Sequence, residues 1–158
     1  EMLAAAQGPR IAVLEMGGWD THAHQMNPNG ALANHLRTLD AALAALRESL
    51  GNAWRHSVVL VATEFGREVA VHGTMGSDHG TGGAAFVLGG AVAGGRVITD
   101  WPGLSKSQRF EGRDLRVTTD LRAVMKGVLA DHLKMATAAI EHTVLPGSSA
   151  VKKLSVLA

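Results

Sequence analysis

Three polar clusters in this sequence combine carboxylates with imidazoles, the side chains that bind divalent metals. They contain Asp20, His22 and His24, then Glu64 and Arg67, and then Asp78 and His79. Carboxylate oxygens and imidazole nitrogens without a thiolate suit zinc, manganese or another divalent ion. A metal held there would bind an anionic ester and activate a water or hydroxyl nucleophile. The sequence therefore predicts a divalent-metal site with a small anionic ester as its ligand.

The spacing D-x-H-x-H at residues 20–24 allows two geometries. On a helical turn, Asp20 and His24 share a face while His22 points elsewhere. In an extended segment, all three side chains share a face. Asp20 and His24 stay together in both geometries, so they rank above His22 as predicted ligands. The alternative is that Asp20 caps a helix and the histidines are merely exposed.

Arg67 is the predicted catalytic residue outside the ligand set. A guanidinium beside a metal can bind phosphate or sulfate through two parallel hydrogen bonds. The alternative role for Arg67 is a salt bridge to Glu64 or Glu68, which accounts for an arginine at this position equally well. Asp78 is either a carboxylate that accepts a hydrogen bond from a ligand histidine or part of an Asx turn.

Hydrophobic periodicity predicts the elements that position these clusters. Apolar residues from Leu32 to Leu50 recur in steps of four and three, which is typical of an amphipathic helix, and Gly51 can end it. Thr118 or Thr119 can cap a helix that extends to Leu133, with a shorter one to follow over 135–142. The predicted strands are Arg10–Met16, Ser57–Thr63, Ala84–Leu88 and a possible short one at Arg96–Thr99.

This order of elements predicts an α/β domain with a mainly parallel sheet flanked by helices. Ligands of such sheets bind beyond the carboxyl ends of the strands, where the polar clusters lie. Residues 1–147 are expected to form one domain and residues 148–158 a tail. Because residues 1–7 read as the last turns of a helix, the chain is expected to be the C-terminal part of a longer protein and a partial domain.

Composition excludes several classes of function. The chain has 158 residues, 15 Lys+Arg against 14 Asp+Glu, and no cysteine. The balanced charge argues against a nucleic-acid partner, and the missing cysteines exclude disulfide scaffolds and thiolate chemistry. Every apolar stretch is shorter than a membrane span requires. We expect no membrane span, and we expect an exposed sheet edge to favour a homo-oligomer.

Four segments carry a family resemblance: GGWDTHAHQ (17–25), VVLVATEFGRE (58–68), GSDHGTGGAAFVLGGAVAGGRV (76–97) and EGRDLRVTTDLRAV (111–124). On these segments the chain resembles the C-terminal half of the DUF1501 proteins, a bacterial group within the alkaline phosphatase/sulfatase-like superfamily. The resemblance implies an alkaline-phosphatase-like fold with metal ligands at Asp20, His24 and His79. It also implies export, so the full-length protein is expected to be extracytoplasmic.

The superfamily's second metal site is where the sequence departs from the pattern. Active members place an Asp-His pair after the central strand, whereas this chain has Glu64-Phe65. Glu64 can still ligate a metal, but Phe65 cannot. As a whole, the resemblance implies a metal-dependent hydrolase or transferase acting on phosphate or sulfate esters. The alternatives are a non-catalytic metal-binding or scaffold relative, favoured by Phe65, and an inactive truncated fragment.

Overall fold

A computed structural model describes residues 2–158. The N-terminal segment begins with a short 3₁₀ helix at Met2–Ala4. The helix end predicted for residues 1–7 includes Glu1, which lies outside the described residues. Residues 10–16, predicted as a buried strand, are not part of either sheet, and Val13 is 90% exposed. That strand prediction is wrong, because the segment finds no ladder partner in the described chain. Residues 96–99 likewise form no strand.

The predicted amphipathic helix is present as α1, Ala31–Leu50. Gly51 ends it in the left-handed region at φ 52°, and its N–H donates to the carbonyls of Arg47 and Glu48. This conformation favours glycine, as predicted for the end of a helix. A 3₁₀ turn at Gly51–His56 then leads into β1.

The strands form two small antiparallel sheets. β1 (Val59–Val61) pairs with β4 (Phe86–Leu88), and β2 (Gly66–Arg67) pairs with β3 (His79–Gly80). The prediction of a mainly parallel, alkaline-phosphatase-like sheet flanked by helices is therefore wrong. A parallel pair needs a long crossover, usually a helix. The chain between β1 and β4 instead contains the β2–β3 pair, so β4 returns to β1 in the opposite direction.

The C-terminal third forms the main buried core. It contains α2 (Leu121–Gly127), a π-helical turn at Val128–His132, α3 (Thr137–Ala139) and a second π-helical turn at Ile140–Val144. Asp120, not Thr118 or Thr119, caps α2 by accepting from the N–H of Arg122. The buried apolar residues are Ala123, Val124, Ile140 and Val156.

Residues 148–158, expected to be a tail, make contacts with this core. Ser148 is fully buried. The N–H of Leu154 donates to the carbonyl of Ala123, and Leu157 forms an isolated bridge with Val92. Close packing explains a glycine on α2, since a Cβ at Gly127 would lie 2.0 Å from the carbonyl oxygen of Leu154.

The apolar face of α1 contributes to a large cavity instead of a filled core. The cavity measures about 2120 Å³ and is also bordered by residues 8–21, β1 and the start of the C-terminal helices. The chain exposes 10666 Å², whereas a compact monomer of its 16.5 kDa exposes about 7,500 Å². Within residues 2–158, no helix combines the length and apolar character that crossing a bilayer requires.

Candidate metal centre

The β2–β3 pair brings the second and third polar clusters together. Arg67 lies directly opposite His79 in its register, and Gly66 opposite Gly80. A Cβ at Gly66 would lie 1.8 Å from the carbonyl oxygen of Gly82, and one at Gly80 would lie 2.5 Å from the carbonyl carbon of Arg67. These approaches explain why glycines occupy both positions, since no side chain fits there.

A second set of main-chain contacts brings the first cluster to the same place. The N–H groups of His24 and Gln25 donate to the carbonyls of Thr74 and Met75 at 2.9 and 3.0 Å. Gly76 packs against this segment so closely that a Cβ would lie 2.1 Å from the carbonyl oxygen of His22. The glycine-rich loop therefore holds the D-x-H-x-H segment beside β3.

Asp20, His22 and His79 form the centre of the site. Asp20 Oδ1 lies 2.8 Å from His22 Nε2 and 2.6 Å from His79 Nε2. One donor atom from each of these residues lies within 4.8 Å of the other two. The two imidazole rings are 4.8 Å apart, tilted by 41°. Three potential metal ligands from two distant parts of the chain thus converge on one point.

Asp78 orients His22 from the opposite side. Its Oδ1 lies 3.0 Å from His22 Nδ1, and it is also 3.7 Å from Nε2 of His72. Thr74 Oγ1 in turn lies 2.9 Å from His72 Nδ1. A carboxylate on the second nitrogen of a ligand histidine fixes the ring and raises its basicity in metal sites. Asp78 therefore lies beside His22, as the first of its two predicted roles requires, while the ligand role of His22 stays a prediction.

The site is open to water and its carboxylates stay ionised. The side chains of Asp20, His22 and His79 are 64%, 45% and 47% exposed. Hydrogen bonds from His79 and His22 lower the pKa of Asp20. The hydrogen bond from His22 lowers the pKa of Asp78, with a further contribution from His72. Both groups are therefore charged at neutral pH and attract a cation.

His24 and Glu64 lie outside this three-residue cluster. The chain bends at Ala23, His24 adopts a left-handed φ of 54°, and His24 is not among the residues whose donor atoms converge. Glu64 is exposed in the bend between β1 and β2. Residues 20–24 are not helical, and the extended alternative, which places Asp20, His22 and His24 on one face, agrees with the position of His22 but not with that of His24.

Arg67 and Phe65 lie against the cluster. The guanidinium of Arg67 donates to the carbonyls of Ser77 and Trp19 and lies 5.2 Å above the Phe65 ring. Phe65 stacks on His79, with ring centroids 4.2 Å apart and an angle of 25°. The predicted anion-binding role of Arg67 stays a prediction, as does the ligand set as a whole.

The donor set fits a divalent cation. Two imidazole nitrogens and one carboxylate oxygen are a common three-residue set for catalytic zinc, which keeps a further position for a ligand from solution. His22 Nε2 faces Asp20 and its Nδ1 faces Asp78. If Nε2 held a metal ion, Nδ1 would donate to Asp78, because an ionised carboxylate only accepts.

Sequence reasoning missed His72 and ranked His22 too low for this geometry. No local spacing links His72 to the cluster, since its contact with Asp78 arises only from the fold of the loop. For His22 a signal existed, because the Gly-Gly pair before it disfavours a helix over these residues.

Residues 1–144 match the family described as Protein of unknown function (DUF1501), and the chain belongs to this family. The match covers nearly all of the chain, including every residue of the candidate metal centre. Neither a curated protein nor a solved structure matches the chain.

Proposed function

We propose that this protein binds one divalent metal ion, zinc or manganese, through Asp20, His22 and His79. The observation that carries the proposal is the convergence of their three donor atoms within 4.8 Å. Asp78 supports it, because a carboxylate on the second nitrogen of a ligand histidine is characteristic of metal sites.

We further propose that the site acts on phosphate or sulfate esters as a metal-dependent hydrolase or transferase. When bound, the ion supplies Lewis-acid polarisation of an ester oxygen. Asp78 holds His22 in place through Nδ1, and the exposure of the cluster leaves room for a small anionic ester. The resemblance to the alkaline phosphatase/sulfatase-like superfamily favours this chemistry, although it implies His24 and not His22 as the partner of Asp20. The proposal does not require a parallel sheet.

A non-catalytic metal-binding relative is the second candidate, and Phe65 favours it. The superfamily pattern has a ligand at this position, whereas Phe65 stacks on His79 and blocks that side of the ring. In this case the protein would bind the ion without turning over esters. Measuring hydrolysis of nitrophenyl phosphate and nitrophenyl sulfate by the metal-loaded protein separates the two candidates.

Metal titration of single variants tests the ligand set. Chelator-treated protein is titrated with zinc and with manganese by calorimetry, for wild type and for Asp20→Ala, His22→Ala, His79→Ala and His24→Ala. We expect the first three variants to lose most of the affinity, because a three-ligand site rarely tolerates the loss of one. His24→Ala is the matched control and should bind like wild type. A His24→Ala protein that loses metal while His22→Ala keeps it would replace the proposed set by the one implied by the resemblance.

We also propose that the full-length protein acts outside the cytoplasm, on the basis of the family resemblance alone. A reporter fused behind the native N-terminal region of the full-length protein tests this. Retention of the reporter in the cytoplasm would contradict it.

A further inference from the structure

Arg67 joins the two chain segments that carry the proposed ligands. Its Nη2 donates to the carbonyl oxygen of Trp19 at 2.8 Å, and its Nη1 to the carbonyl oxygen of Ser77 at 2.9 Å. Trp19 directly precedes Asp20, and Ser77 directly precedes Asp78 and His79. One side chain therefore connects the main chain on both sides of the cluster, across 48 and 10 residues of sequence.

The rest of Arg67 is held by the same site. Its backbone lies opposite His79 in the β2–β3 pair. Its guanidinium lies over the Phe65 ring at 5.2 Å from the centroid, and the Phe65 ring stacks on His79. A cation over an aromatic face is attracted by the ring quadrupole. Phe65 thus contacts both Arg67 and a proposed ligand.

We propose that Arg67 is a positioning residue that sets the spacing of Asp20 and His79, and that it acts through the main chain and not by binding the substrate anion. The proposal rests on the proposed metal site. Two N–H donors of Arg67 point at carbonyl oxygens. This arrangement differs from the anion-binding role that the sequence predicts for Arg67. The planar guanidinium spans two carbonyls in a fixed geometry, whereas the single ammonium of lysine cannot reproduce that fork.

The test compares Arg67→Lys with Arg96→Lys. Arg96 is a matched control because it also bonds two main-chain carbonyls, those of Ala93 and Ser155, in another part of the molecule. We expect Arg67→Lys to weaken zinc affinity by about 10- to 100-fold, the range for residues that orient ligands. Arg96→Lys should leave the affinity unchanged.

Imidazole ¹⁵N–¹H spectra of the metal-free protein provide a readout that does not depend on metal binding. His22→Ala and His79→Ala assign the two signals. In Arg67→Lys both signals should move toward that of an exposed histidine such as His142, and in Phe65→Leu only the His79 signal should move. If wild type binds no zinc, the proposed function fails, while these spectra still decide the role of Arg67.

Three results would overturn the positioning role. The first is an Arg67→Lys protein with unchanged imidazole signals. The second is unchanged zinc affinity together with a raised KM for an anionic ester, which would return Arg67 to anion binding. The third is a loss of the native far-UV circular dichroism, which would make Arg67 a determinant of the fold as a whole.

Discussion

Replacing Lys126 by methionine should lower the free energy of unfolding by about 3 to 4 kcal/mol. Lys126 is only 5% exposed. Its Nζ donates to Glu141 Oε1 at 2.5 Å and to the carbonyls of Ser148 and Val151 at 2.9 and 2.8 Å. These bonds tie α2 to the turn after α3 and to the C-terminal segment, so Lys126 lies at the junction of the one well-buried region.

The magnitude follows from what the substitution leaves behind. Methionine keeps the aliphatic volume, so the loss comes from the missing Nζ. Breaking a buried ion pair from one side costs about 3 to 5 kcal/mol, because the remaining charge is unpaired. The Glu141 side chain keeps 19% exposure, so water offsets part of this cost and the lower part of the range applies. The loss is a large share of the roughly 5 to 15 kcal/mol that stabilises a typical domain.

Urea denaturation followed by tryptophan fluorescence and circular dichroism measures this loss. Lys152→Met is the control, because Lys152 is exposed and should change stability by less than about 0.5 kcal/mol. The double variant Lys126→Met with Glu141→Leu should be more stable than Lys126→Met alone, since it removes the unpaired carboxylate. A loss below about 1 kcal/mol for Lys126→Met would refute the reasoning, because that is the effect of an average substitution.

Three further results are expected. Asp120→Ala should lower the free energy of unfolding by about 1 kcal/mol, because it removes a helix cap. The hydrogen bond from Arg122 lowers the pKa of Asp120. Thermal melts should therefore show the stabilisation by Asp120 near neutral pH and its loss as the pH falls through the lowered pKa of Asp120. Equal stability of the two proteins at neutral pH would contradict this. Gly76→Ala should weaken zinc binding, because its Cβ would lie 2.1 Å from the carbonyl oxygen of His22. Gly73→Ala is the control, since a Cβ there would meet no atom within 4 Å. Equal zinc affinities of the two variants would contradict this prediction. The chain should self-associate, because it exposes 10666 Å², about 3,000 Å² beyond a compact monomer and more than a stable interface buries. A monodisperse monomer by light scattering at tens of micromolar protein would contradict that expectation.

Local patterns predicted the helices better than the sheets. The periodicity of residues 32–50 predicts α1 because a helix satisfies its own backbone hydrogen bonds and needs only one apolar face. The apolar runs at 57–63 and 84–88 likewise predict strands that contain β1 and β4. Their pairing was predicted wrongly as parallel, because strand direction depends on the connection between them. The residues between β1 and β4 contain the β2–β3 pair, whose two-residue strands are too short to show a hydrophobic periodicity.

The candidate site shows the same division. The residue types in D-x-H-x-H and around Asp78-His79 indicate a divalent metal, because imidazole and carboxylate are its ligands wherever they converge. Both conformations considered for residues 20–24 keep His24 beside Asp20, whereas in the structure His22 Nε2 lies 2.8 Å from Asp20 Oδ1 and His24 is not in the three-residue cluster. The chain bends at Ala23, and His24 has a φ of 54°.

By itself, the sequence predicted a metal site and the position of the long helix, because both depend on residue types at short spacing. It also placed the chain in the DUF1501 family through a match over residues 1–144. Only the tertiary structure decided that His22 and not His24 lies beside Asp20, that Asp78 orients it, and that Arg67 contacts the main chain of both ligand segments. The physical reason is that the contacts of Asp78 and Arg67 join residues 10 to 56 positions apart. Even the Asp20–His22 pair, two positions apart, depends on how the glycine-rich loop holds the 20–24 segment. Each of them forms only where packing of the glycine-rich loop against β2 and the 20–24 segment brings the groups within hydrogen-bond distance.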